Sequence, residues 1–73
     1  MATEIINHPP SRNIAWITYD ADQQLMTIGF QKGATYQYFD VPGDVANGFS
    51  QALDANDYLK TFVTSQFQYE RIG

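Results

Sequence analysis

Between residues 14 and 40 apolar and polar positions alternate, and this period predicts three short strands. Ile14 to Tyr19 gathers Ile14, Trp16, Ile17, Thr18 and Tyr19, branched or aromatic residues that suit a pleated surface. Asp20-Ala21-Asp22-Gln23-Gln24 supplies polar turn chemistry. Residues 25–30 place Met26, Ile28 and Phe30 on one face, and Gln31-Lys32-Gly33 turns the chain with a glycine free to take positive φ. Ala34 to Asp40 is a third strand, with Tyr36 and Tyr38 on one face and Thr35, Gln37 and Phe39 on the other. At Val41-Pro42 the period lengthens, because proline suits the first turn of a helix, and Asp44 adds a carboxylate near the positive end of its dipole. Val45, Phe49, Ala52 and Leu53 then recur at helical spacing, with Gly48 an interruption that costs about 1 kcal/mol relative to alanine. Asp54-Ala55-Asn56-Asp57 links to a second helix, for which Asn56 or Asp57 is available as N-cap. Its apolar stripe is Tyr58, Leu59, Phe62 and Val63.

The expected fold is therefore α+β: a three-stranded antiparallel sheet followed by two helices packed on one face. It forms a single domain over residues 14–73, preceded by an N-terminal arm over residues 1–13 whose Pro9-Pro10 favours extended backbone. Residues 67–72 read either as a frayed helix end or as an added edge segment. One face of the sheet lacks a cover, since Leu25, Phe39 and one side of the Trp16 strand point away from the helices. A second copy of the chain could cover it, making a homo-oligomer; so could Ile5-Ile6 of the arm, folded back over it.

Composition narrows the picture. A chain of 73 residues holds one domain with a thin core, and without cysteine neither disulfides nor thiolate metal sites reinforce it. Aromatic residues make up 15% of the chain, a generous source of burial for this length. The start Met1-Ala2-Thr3-Glu4 has no basic n-region and no apolar run approaches the roughly 20 residues that span a bilayer, so a cytoplasmic protein without a membrane partner is expected. A net charge of −4 works against sequence-independent attraction to phosphate backbones or anionic lipids.

Catalytic constellations are missing from this pattern. His8 stands alone in the arm, and Asp20, Asp22, Asp54 and Asp57 occupy turns and helix junctions that explain them without acid–base work. Ser11, Ser50 and Ser65 lack the glycines of a nucleophile elbow, and the glycines form no phosphate-cradling loop. No enzyme, cofactor or metal is expected. What remains is aromatic and sparsely cationic. Tyr36 and Tyr38 could present ring faces for base stacking, or lie in the core with their hydroxyls at the rim, the plainer reading. Arg12, Lys32, Lys60 and Arg71 are scattered, so a phosphate site needs folding, or a neighbouring subunit, to gather them. The candidate ligand-binding residues are Arg12, Asn13, Tyr36, Tyr38, Lys60, Tyr69 and Arg71.

The order Ser11-Arg12-Asn13-Ile14, Tyr19-Asp20, the alternation ending at Phe30, Gly33, Tyr36-Gln37-Tyr38, Val41-Pro42, Tyr58-Leu59 and Phe62 resembles the KTSC domain family, over roughly residues 11–70. That family is named for its place at the C-terminus of some lysyl-tRNA synthetases and also occurs as short stand-alone bacterial and phage proteins. The resemblance matches Tyr36 and Tyr38 to the family's tyrosine pair and Arg12-Asn13 to its polar entry motif. It implies a small non-catalytic binding module, suspected to take nucleic acid because of the synthetase context. One departure weakens RNA binding for this member: the segment after Tyr58, basic in relatives, reads Leu59-Lys60-Thr61-Phe62-Val63-Thr64-Ser65. The leading expectation is a module for a nucleotide or short nucleic acid. The alternatives are an oligomeric, phage-type protein sequestering a small nucleotide signal between subunits, and an adaptor that takes a host protein on its apolar sheet face.

Overall fold

The computed structural model describes residues 3–9 and 11–73; Met1, Ala2 and Pro10, which belong to the expected arm, lie outside the described residues. The expectation of three strands is corrected to five. The strands are β1 (Thr3–Ile5), β2 (Ile14–Asp20), β3 (Leu25–Phe30), β4 (Thr35–Tyr38) and β5 (Tyr69–Arg71). They form one antiparallel sheet in the order β1-β2-β3-β4-β5. The α+β class stands, with both added strands at the sheet's edges. Each is only three residues long and carries no alternation that a period-2 search can find. β1 comes from the arm, so Thr3–Ile5 lengthens the sheet at its edge, and Ile5-Ile6 does not fold over its open face. Ile6 turns into the core while Ile5 remains 79% exposed. β5 is built from the ambiguous tail, and Phe39 N–H donates to the Gln68 carbonyl at 2.9 Å as the two strands meet.

Pairing register explains which face is buried. Ile17 sits opposite Ile28, Tyr19 opposite Met26, Ile28 opposite Tyr36 and Met26 opposite Tyr38, so these side chains share the inner face. A bulge between Ile14 and Trp16 lets Ile14 remain on that face while Trp16 turns to the other. The Trp16 indole there lies on Gly29, where a Cβ would collide with the ring.

The inner face is covered by two short helices: α1 (Gly43–Asn47), which tightens into a 3₁₀ turn at Gly48–Gln51, and α2 (Ala55–Tyr58), which widens into a π-helical segment at Leu59–Thr64. Phe49, Val41, Ala46, Val63, Ile14, Ile17, Met26 and Ile28 are almost wholly buried between the layers. Such burial is worth about 1.5–3 kcal/mol for each large side chain. The helices depart from the expected stripes at two places. Leu53 is fully exposed, because the 3₁₀ turn ends in extended backbone at Ala52 before the stripe reaches it. Phe62 is half-exposed. The N-cap of α2 is Asp54, earlier than the expected Asn56 or Asp57; its carboxylate accepts from the backbone N–H of Asn56 (2.9 Å) and Asp57 (3.1 Å). Among the described residues no helix is long and apolar enough to cross a membrane.

Candidate functional site

The inner face is not fully covered at the β4–β5 side of the sheet. A cleft of about 370 Å³ opens there between the strands and the π-helical segment, a size at the lower end of the ~300–1,000 Å³ typical of small-ligand sites. Its floor is aromatic. Tyr69 sits opposite Tyr38 in the β4–β5 register, and β-strand alternation brings Tyr36, Tyr38 and Tyr69 onto the same face. Ring centroids are 5.8 Å apart for Tyr36 and Tyr69, 5.4 Å for Tyr38 and Tyr69, and 5.6 Å for Phe30 and Tyr36, the last edge-to-face. Tyr38 is the buried base of this cluster, at 3% exposure, whereas Tyr36 is partly buried and Tyr69 half-exposed. The core reading of the tyrosine pair therefore describes Tyr38, and Tyr36 lies at the wall of the cleft.

Polar side chains rim the opening. Lys32, from the β3–β4 turn, and Lys60, from the π-helical segment, both line the cleft, with Asn13, Asn56 and Thr64. Asn13 Nδ2 donates to Asn56 Oδ1 at 2.8 Å, tying the entry to β2 to the start of α2. Burial pushes the Tyr38 hydroxyl's pKa above its usual value; hydrogen bonding with Thr64 opposes the shift, and Tyr69 and Tyr36 add to it.

A second cleft, of about 480 Å³, adjoins the first and shares Asn13 and Asn56 with it. Its other lining residues are Ser11, Arg12, Leu53 and Asp54. Ser11 shapes the turn that presents Arg12, because its Oγ accepts from the backbone N–H of Asn13 (3.0 Å) and Ile14 (3.1 Å). The Asn13 carbonyl is held by Gln31 N–H at 2.8 Å, which anchors this turn to the β3–β4 turn.

Of the seven candidate residues, Asn13, Tyr36, Tyr38, Lys60 and Tyr69 line the aromatic cleft and Arg12 lines its neighbour. Arg71 stands opposite Tyr36 in β5, but its Nε–H donates to the Gly73 carbonyl at 2.8 Å and it lines neither cleft. Sequence reasoning did not name Phe30, Lys32, Asn56 or Thr64 as site residues. Lys32 could have been found, since it sits in the turn leading into the tyrosine strand; Asn56 and Thr64 reach the cleft only through helix packing. Asp20 is occupied with its turn, accepting from Asp22 N–H (3.0 Å) and Gln23 N–H (3.3 Å). Among the described residues no group of three or more His, Cys, Asp or Glu is placed to hold a metal.

A five-stranded antiparallel sheet with two short helices on one face and a cleft at its β4–β5 end defines a small α+β domain. The KTSC domain model matches residues 10–67, and the chain belongs to the KTSC family. The crystal structure of a KTSC domain protein from Yersinia pestis superposes with a TM-score of 0.83 at 29% identity, covering 99% of this chain and all of that one. Lysine–tRNA ligases are also similar: 33% identity over 55 residues for the Nostoc sp. protein and 28% over 65 residues for that of Nostoc punctiforme. These matches cover 75% and 89% of this chain but only 10% and 12% of the ligases, so the chain spans about a tenth of their length.

Proposed function

We propose that this KTSC domain is a non-catalytic binding module for a nucleotide or a short stretch of nucleic acid, held in the aromatic cleft. The observation that carries the reading is charge placement. In a chain with net charge −4 and only four Lys and Arg residues, Lys32 and Lys60 line the same cleft as Tyr36 and Tyr69, and Arg12 lines the adjoining one. A ring stacked on Tyr36 or Tyr69 gains about 1–3 kcal/mol without a broad positive surface, and two ammonium groups beside it suit one phosphate group. The similarity to part of the lysine–tRNA ligases is consistent with a ligand of this class.

Calorimetric titration with adenosine monophosphate tests the reading. The wild-type chain binds, Tyr36→Leu lowers affinity about tenfold by removing the stacking face while keeping the site apolar, and Lys60→Ala lowers it several-fold with a weaker salt dependence. No heat of binding to the monophosphate or to a short oligonucleotide overturns it, as does affinity unchanged in both variants.

A second reading, protein contact, rests on a different feature. Ala52, Leu53, Tyr58 and Phe62 line an exposed groove of about 280 Å³ on the helical side, with Asp54 and Asp57 at its rim. A partner presenting apolar and basic side chains would suit it.

A further inference from the structure

The two clefts are contiguous, and what separates them is a hydrogen-bonded pair of amides. We infer that they form two successive subsites for a linear dinucleotide or longer strand, with one nucleotide unit in the aromatic cleft and the next in the cleft of Arg12. This rests on the nucleotide reading above and extends it from a mononucleotide to a strand. Each cleft is large enough for one small unit, at about 370 and 480 Å³, and among the described residues they share Asn13 and Asn56 alone. With Asn13 Nδ2 donating to Asn56 Oδ1, the side-chain oxygen Asn13 Oδ1 and the side-chain nitrogen Asn56 Nδ2 remain as an acceptor and a donor at the junction. A strand crossing from one cleft to the other meets both groups. The Asn56 amide can donate to a linking phosphate or sugar oxygen, and the Asn13 oxygen can accept from a sugar hydroxyl.

The second cleft differs in character from the first in the way a following phosphate requires. Arg12, exposed at the apex of the turn that Ser11 Oγ holds, is its cation. Because Ser11 fixes the loop on one side and Gln31 N–H on the other, the guanidinium is presented from a preordered turn, which lowers the entropic cost of using it. The cleft also contains Asp54, whose Oδ1 is engaged by the Asn56 and Asp57 backbone N–H groups as the cap of α2. Its negative charge opposes an anion there and sets a limit on affinity that a substitution can lift.

The test is the ratio of affinities for 5′-phosphorylated diadenylate and adenosine monophosphate, measured by calorimetry on the full chain. In the wild type the dinucleotide binds about tenfold more tightly or better, since the second unit adds its own contacts. Arg12→Ala collapses the ratio toward one and Arg12→Lys restores most of it. Asp54→Asn, which keeps a capping oxygen, raises the ratio. Equal affinity for the two ligands in the wild type overturns the second subsite while leaving the mononucleotide reading intact. So does a ratio that Arg12→Ala leaves unchanged. Absence of binding by both ligands overturns the nucleotide reading and the second subsite together.

Discussion

Gly48 shows how one residue can look like a fault in the sequence and have a packing reason in the fold. At this position a Cβ would collide with the Tyr58 ring and hydroxyl, so the missing side chain is what lets Tyr58 lie across the end of α1. There its hydroxyl donates to the Val45 carbonyl at 2.7 Å and its ring meets Phe49 at 4.6 Å. Gly48→Ala should therefore lose about 1–3 kcal/mol, the usual cost of overpacking, despite alanine's better helix propensity; urea denaturation measures it, and a gain in stability would contradict the packing. The tyrosines themselves give a pH prediction. Burial raises the pKa of Tyr19, Tyr38 and Tyr58 above the ordinary value of 10.0, and Asp44 raises Tyr19 and Tyr58 further. The folded state thus holds these protons more tightly than the unfolded one. The resulting stability is complete below pH 10 and is lost as pH rises through the folded-state values. Melting temperatures should be insensitive to these three groups between pH 8 and 9 and fall above pH 10. A phenolate absorbance titration should show them ionising later than a model tyrosine.

At the scale of elements, the parts legible in the sequence were those with a long enough period. β2, β3 and β4 lie close to their expected bounds, because alternation over four to seven residues in a half-buried strand leaves a clear pattern. β1 and β5, at three exposed residues each, leave no such alternation; pairing with a neighbouring strand defines them, and for β5 it selects the edge-segment alternative for the tail. The helices fall where the apolar spacing places them but are less regular than it implies: the 3₁₀ turn ends at Ala52 before Leu53, and the π-helical segment changes the angular step at Phe62, so neither side chain joins the core despite its helical spacing. The same limit applies to the cleft. Tyr36, Tyr38 and Tyr69 could be singled out as aromatic candidates, but the β4–β5 pairing that brings the third beside the other two is a long-range fact. Capping gives an independent check on the start of α2, where Asp54 accepts two backbone N–H groups. Asp54→Ala should cost about 1 kcal/mol and Asp54→Asn much less, by chemical denaturation; equal losses would assign the effect to charge and not to the cap.

Over the whole molecule, folding does for charge what the linear order does not. The chain is acidic and its four cations are scattered, yet the two lysines and Arg12 arrive at two adjoining clefts on one side of the domain. The aromatic supply is divided in the same way. Trp16 caps Gly29 on the outer face, Phe49 and Tyr58 join the helices to the core, and Tyr36, Tyr38 and Tyr69 line the cleft. The most direct test of the central claim is an amide chemical-shift map of the ¹⁵N-labelled chain titrated with adenosine monophosphate. The account predicts saturable shifts at Asn13, Lys32, Tyr36, Asn56, Lys60 and Tyr69, with Trp16 and Thr27 of the outer sheet face and Ala52, Tyr58 and Phe62 of the helical groove unmoved. Shifts centred on the outer sheet face or on that groove, or none at millimolar nucleotide, would contradict it.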